Sequence, residues 1–108
     1  MVKQPTQLGI SRVLKKAGFE RSVSSPSRIR GWREWTEGYK VTKFSDTKVE
    51  IEYLPSSFRV RNTSDEQIRQ MLDRYRAVVV AAGYAVTNRA AAMGDRLVVS
   101  APDEKTEE

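Results

Sequence analysis

The chain has 108 residues, of which 39% are hydrophobic and 31% are charged, and this composition is typical of one soluble globular domain. It contains no cysteine and no histidine, which excludes disulfides, cysteine nucleophiles, histidine acid–base catalysis and nearly all zinc sites. No apolar run approaches the roughly 18 residues that span a membrane, and the first residues lack the apolar core of a signal peptide. The sequence therefore predicts a cytoplasmic protein with a single domain over residues 1–108, flexible tails at 1–5 and 102–108, and no membrane partner.

The charge of the chain is unevenly distributed. The formal net charge is +5, yet residues 1–43 carry ten Lys or Arg and three Asp or Glu, whereas residues 44–108 carry nine and eleven. A basic half indicates an acidic partner, and nucleic acid is the commonest one. Small soluble proteins also carry such imbalances for solubility alone, so composition leaves both interpretations open.

The first predicted element is a helix that begins after Thr6 and ends at Gly18. Glycine can adopt the left-handed conformation that ends a helix, and Phe19 is placed to fold back onto the last turn. Apolar residues recur at the spacing of one buried helical stripe. This stripe consists of Ile10, Val13, Leu14 and Ala17.

A polar, serine-rich connection over residues 20–31 follows, and it has no clear period. It fits either a long loop or a poorly regular strand followed by a loop. Strands are predicted next over residues 39–44 and 48–54, joined by a turn at 45–47, because apolar and polar residues alternate there. A third short strand is predicted around Phe58 and Val60.

The second predicted helix begins at Ser64, where Ser64 and Gln67 fit a capping box. Its apolar stripe extends over almost five turns and Gly83 ends it. The runs at 84–86 and 97–99 then predict a final hairpin.

These elements predict an α+β fold. We expect a two-layer sandwich, in which an antiparallel sheet carries two helices on one face, in the order α-β-β-(β)-α-β-β. The repeated pattern of helix, glycine and strands fits a duplicated α-β-β unit. The alternative is that the two junctions share only their cap chemistry.

Carboxylates are the remaining candidates for catalysis. Glu50 and Glu52 alternate with apolar residues, so we interpret them as the solvated face of an amphipathic strand. An enzyme would need the fold to assemble a cluster from Glu34, Asp46, Glu50 and Glu52. No glycine-rich phosphate loop or dinucleotide fingerprint is present. We therefore predict a protein that is not an enzyme, with no cofactor and no metal.

The most suggestive segment interleaves arginine with tryptophan over residues 28–35. Arginine binds phosphates in a fork geometry, and aromatic rings stack on unpaired bases. The predicted nucleic-acid-binding residues are Lys15, Lys16, Arg28, Arg30, Trp32, Arg33, Trp35 and Lys40. Arg21 and Lys43 extend the same basic surface. The alternatives are a core role for the tryptophans, of which we expect one buried and one exposed, and a protein-binding hot spot.

Two resemblances come from these motifs. Residues 13–20, Val-Leu-Lys-Lys-Ala-Gly-Phe-Glu, look like the start of HicA-type mRNA interferase toxins, whose fold is similar to a double-stranded-RNA-binding domain. Those toxins cut RNA with a histidine, and because this chain has none, the resemblance implies a related fold without that activity. The runs at 31–39, 72–75, 82–84 and 96–99 resemble uncharacterised small proteins of actinobacteria and their phages, which implies a cytoplasmic accessory protein and no site residues.

The sequence thus predicts a small non-enzymatic binding or accessory protein, encoded by a phage if the second resemblance holds. Nucleic acid is the expected partner, through the basic Arg/Trp segment. The alternative is a protein-interaction or inhibitor module that acts on a host or partner protein.

Overall fold

A computed structural model describes residues 4–26, 33–56, 62–90 and 94–102 of the chain. In chain order its elements are α1 (Gln7–Lys16), β1 (Ser24–Pro26), β2 (Arg33–Trp35), β3 (Gly38–Ser45), β4 (Lys48–Leu54), α2 (Asp65–Ala81), β5 (Ala85–Arg89) and β6 (Arg96–Ser100). Four strands form an antiparallel sheet in the order β3-β4-β6-β5, and β1 pairs with β2 in a separate antiparallel sheet. The predicted α+β two-layer sandwich is confirmed. Neither described helix combines the length and the apolar character needed to cross a membrane.

Both helices begin and end where the sequence predicts. The Thr6 hydroxyl accepts a hydrogen bond from the Gly9 amide, and Ser64 forms the predicted capping box with Gln67. Such caps satisfy amide groups that have no partner within the helix. Gly18 and Gly83 both have a φ of 102°, the left-handed conformation that glycine adopts without a steric penalty.

The core lies between the helices and one face of the four-stranded sheet. Directly paired residues of antiparallel strands point to the same face, and the pairs Tyr39–Tyr53 and Ile51–Leu97 place these side chains towards the helices. Tyr75 of α2 is central, since its ring lies 4.9 Å from the Phe19 ring and 6.2 Å from the Tyr39 ring, between centroids. Among the described residues, the largest fully buried side chains are Ile10, Leu14, Tyr39, Ile51, Tyr75, Val79, Leu97 and Val99.

The arrangement of helices and hairpins has an internal symmetry. Each helix is followed by an antiparallel hairpin, β3-β4 after α1 and β5-β6 after α2. The second strands of the two hairpins, β4 and β6, pair at the centre of the sheet, and β3 and β5 are its edges. The first unit differs because β1 and β2 lie between its helix and its hairpin.

Part of the segment predicted as a loop or an irregular strand is ordered. Residues 24–26 form β1, and Trp35 belongs to the small second sheet rather than to the main one. Pro5, which the sequence assigned to a flexible tail, is buried. The strand predicted around Phe58 and Val60 lies outside the described residues.

The interpretation of Glu50 as a solvated residue is wrong. Glu50 is only 9% exposed, on the sheet face opposite the helices. Its Oε2 atom accepts a hydrogen bond of 2.7 Å from Arg89 Nη1. Arg96 Nη1 lies 3.7 Å from Glu50 Oε1 and donates to Glu52 Oε1 at 3.1 Å. Arginines of β5 and β6 therefore hold the two carboxylates. We call Glu50, Glu52, Arg89 and Arg96 together the Glu50 cluster.

Alkaline titration should report the burial of Tyr75. Burial, and then the nearby Tyr53, Glu37 and Tyr39, raise the pKa of Tyr75 well above its ordinary value. As the pH rises, the Tyr75 hydroxyl therefore ionises in the unfolded chain before it does so in the folded protein. The stability that the neutral, buried hydroxyl allows is complete below about pH 10 and is lost as the pH rises further. We expect the free energy of unfolding, measured in urea, to fall less steeply above that pH in Tyr75→Phe than in the parent. Equal slopes would contradict this assignment.

Candidate functional site

The described residues of the predicted basic surface occupy three elements. Lys15 and Lys16 are exposed in the last turn of α1, and Lys40 is exposed on β3. Arg33 is exposed on β2, where its Nε donates to Ser24 Oγ at 2.9 Å. Three predicted residues, Arg28, Arg30 and Trp32, lie outside the described part of the chain.

The segment after α1 pairs with the edge of β3. The Tyr39 amide donates to the Glu20 carbonyl at 3.0 Å, and the Ser22 amide donates to the Tyr39 carbonyl at 2.9 Å. These bonds form a parallel bridge between Arg21 and Tyr39. They place the exposed Arg21 side chain beside the edge of the main sheet.

This close pairing depends on Gly38. A Cβ atom at Gly38 would lie 2.3 Å from the Glu20 carbonyl oxygen and 2.6 Å from the Ser22 amide nitrogen. Backbone atoms cannot move aside as the end of a flexible side chain can. The absence of a side chain at residue 38 therefore allows the segment to approach β3.

A cleft of about 440 Å³ lies beside Arg21, next to the β1-β2 hairpin. Trp35 lines it and is half-buried, and the indole Nε1 donates to the Pro55 carbonyl at 2.7 Å. This hydrogen bond fixes the orientation of the ring. The lining residues are Arg21, Ser22, Ser24, Trp35, Lys40, Val41 and Leu54.

Two further clefts, of about 500 and 300 Å³, lie between α1 and the same segment. Both are lined by Leu8, Ser11, Arg21 and Tyr39, and the larger also by Arg12, Lys15 and Val23. The Tyr39 hydroxyl lies 2.9 Å from Ser11 Oγ, which fixes α1 against β3. Leu8 and Val23 add exposed apolar surface to these clefts, since they are 61% and 51% exposed.

The described charged side chains that line these three clefts are all positive. All three include Arg21, and we call them together the Arg21 clefts. Their described lining contains Arg12, Lys15, Arg21 and Lys40 and no carboxylate. None of these four cations forms an ion pair within the described residues. By contrast, the cleft of about 200 Å³ near the start of α2 contains both Glu37 and Arg74. Among the described residues, no carboxylate therefore neutralises the cations of the Arg21 clefts.

The structure brings together only some of the predicted residues. Lys15, Trp35 and Lys40 line the Arg21 clefts, whereas Lys16 lines none of them. The sequence prediction missed Arg12 and the exposed Leu8. The helical spacing of Arg12, one turn before Lys15 and Lys16, was a usable signal. No local signal marks an apolar residue that stays exposed.

The carboxylates considered for an enzyme do not gather at one site. Asp46 is in the β3–β4 turn and forms an exposed ion pair with Lys43, while Glu34 belongs to β2. Among the described residues, no group of three or more acidic side chains is arranged to hold a metal ion.

Comparison of the chain with protein-family models, with curated proteins and with solved structures found no match. The two resemblances drawn from the sequence motifs stay predictions.

Proposed function

We propose that this chain is a non-enzymatic binding protein whose ligand is nucleic acid and whose binding site is the Arg21 clefts. The observation that carries the proposal is that four cations line these clefts and that, within the described residues, none of them forms an ion pair and no carboxylate joins them. A polyanion with regularly spaced charges satisfies several such cations at once, and the release of its counterions favours binding.

The chemistry of each lining residue supports this assignment. Arg21 donates to phosphate oxygens in a fork geometry, while Lys15 and Lys40 act as mobile point charges. Trp35 offers an aromatic wall beside these charges. Charge and aromatic surface together are the two components of general nucleic-acid binding.

A second candidate is a protein partner that carries acidic and apolar residues. The exposed Leu8 and Val23 side chains favour it, because they flank the same cations. Apolar contacts are less sensitive to salt than phosphate contacts are, so binding of this kind should tolerate added salt.

Fluorescence anisotropy with labelled DNA and RNA tests the proposal. We expect affinity to fall as salt rises. A plot of log affinity against log salt concentration should have a slope of about −0.7 to −0.9 for each phosphate neutralised. The variant Arg21→Ala/Lys40→Ala should bind roughly tenfold more weakly, with a slope smaller by about one to two.

The matched control is Arg69→Ala/Arg74→Ala, which removes the same charge from exposed positions on α2. It should bind as the parent does. Salt-insensitive binding, no binding at low salt, or an equal loss in both variants would contradict the proposal.

A further inference from the structure

We infer that the Arg21 clefts bind single-stranded rather than duplex nucleic acid, with an unpaired base stacked on Trp35. This inference rests on the proposed function and specifies its ligand.

The cleft beside Trp35 has the walls that a base needs. Its apolar lining comes from Trp35, Val41 and Leu54, and the exposed residues Arg21 and Lys40 also line it, which we take as its charged rim. A duplex presents phosphates outward and keeps its bases stacked inside, so it uses charged surface but not an apolar recess. An unpaired base can enter the recess while its phosphate stays at the charged rim.

The Trp35 ring is fixed before any ligand binds. Its Nε1 donor is occupied by the Pro55 carbonyl at 2.7 Å, and the residue is half-buried. A ring held in place loses little conformational freedom on binding, which favours stacking. Because the indole donor is already occupied, Trp35 contributes stacking rather than a hydrogen bond to a base edge. Binding should therefore depend little on base sequence.

Arg21 is placed to continue the ligand beyond one nucleotide. It lines the cleft that contains Trp35 and also both clefts against α1, the larger of which is lined by Arg12 and Lys15. A flexible strand can pass from one cleft to the next, with one phosphate at Arg21 and others near Lys40 and Lys15. A stiff duplex cannot bend within a few nucleotides.

The first test compares oligothymidine and oligouridine with duplexes of the same length, by anisotropy at low salt. We expect both single strands to bind at least about tenfold more tightly than the duplexes, since only they contribute stacking. Comparison of the two oligonucleotides shows whether DNA or RNA is the better ligand. Equal affinity for single strands and duplexes would overturn the inference.

The second test changes the aromatic wall. Trp35→Leu removes the ring and should weaken single-strand binding roughly tenfold, while Trp35→Phe keeps a ring and should lose less. Both changes should weaken single-strand binding by a larger factor than duplex binding, since only the single strand stacks on the ring. Unchanged single-strand affinity in Trp35→Leu would overturn the stacking role.

Because Trp35→Leu could fail to fold, a third test measures the fluorescence of Trp35 itself. In Trp32→Phe, Trp35 is the remaining tryptophan, and saturating oligothymidine should quench its fluorescence and shield it from acrylamide. No change in either signal at saturation would overturn the inference.

The failures of the two proposals are distinguishable. Salt-dependent binding to duplex and single strand alike, lost in Arg21→Ala/Lys40→Ala, would leave the proposed function intact and remove this inference. Absence of all nucleic-acid binding would remove both.

Discussion

Glu50→Ala should lower the free energy of unfolding by about 2–4 kcal/mol, because it leaves the arginines of the Glu50 cluster without their shared carboxylate. The Arg96 side chain is only 17% exposed and would keep one carboxylate partner, Glu52. Arg89 is 45% exposed, so its guanidinium can move into the solvent when Glu50 is absent. The expected loss of stability is therefore smaller than for a fully buried ion pair. Urea denaturation at neutral pH measures the change.

The matched control for Glu50→Ala is Asp46→Ala. Asp46 also pairs with a cation, Lys43, but its side chain is almost fully exposed. Exposed ion pairs contribute little because water and salt screen them, so the unfolding midpoint should not change. If the two variants behaved alike, the Glu50 cluster would have no stabilising role beyond that of a surface ion pair.

The helices could be predicted from the sequence because their signals are local. Thr6 and Ser64 cap the amides of the residues three positions further on, and Gly18 and Gly83 end the helices they follow. The alternation along β3 and β4 is equally local. Fold class follows from the order of such elements, so the two-layer α+β sandwich could be predicted.

The partners of Glu50 could not be predicted in the same way. Arg89 is 39 residues away in the sequence, and its contact depends on the strand order β3-β4-β6-β5. Alternation alone assigns Glu50 to the face opposite the core, which is correct. Whether that face is wet depends on which side chains the neighbouring strands place there.

The candidate site was predicted in part for the same reason. Charge clustering identified Lys15, Arg21, Trp35 and Lys40, but the clefts between them arise where distant segments meet. The bridge between Arg21 and Tyr39 creates these clefts. No sequence pattern at Arg21 or at Tyr39 predicts that these two residues pair.

Gly38→Ala should separate the Arg21 segment from β3 and disrupt the site. The new methyl group would meet three backbone atoms of residues 20–22, all within 2.7 Å, so the segment must move and its two hydrogen bonds to Tyr39 must lengthen or break. Since Arg21 lines all three clefts, we expect roughly tenfold weaker nucleic-acid binding. Overpacking should also lower stability by about 1–3 kcal/mol.

Gly18→Ala separates loss of the site from loss of stability. An alanine there meets nothing within 4 Å, but its φ of 102° is strained for any residue with a side chain, so stability should fall by about 1 kcal/mol or more. The Arg21 bridge would stay intact, and binding measured well below the melting temperature should stay close to that of the parent. If Gly18→Ala lost binding as Gly38→Ala does, general destabilisation would explain both. Loss in Gly38→Ala alone would trace the binding site to the approach of the Arg21 segment to β3.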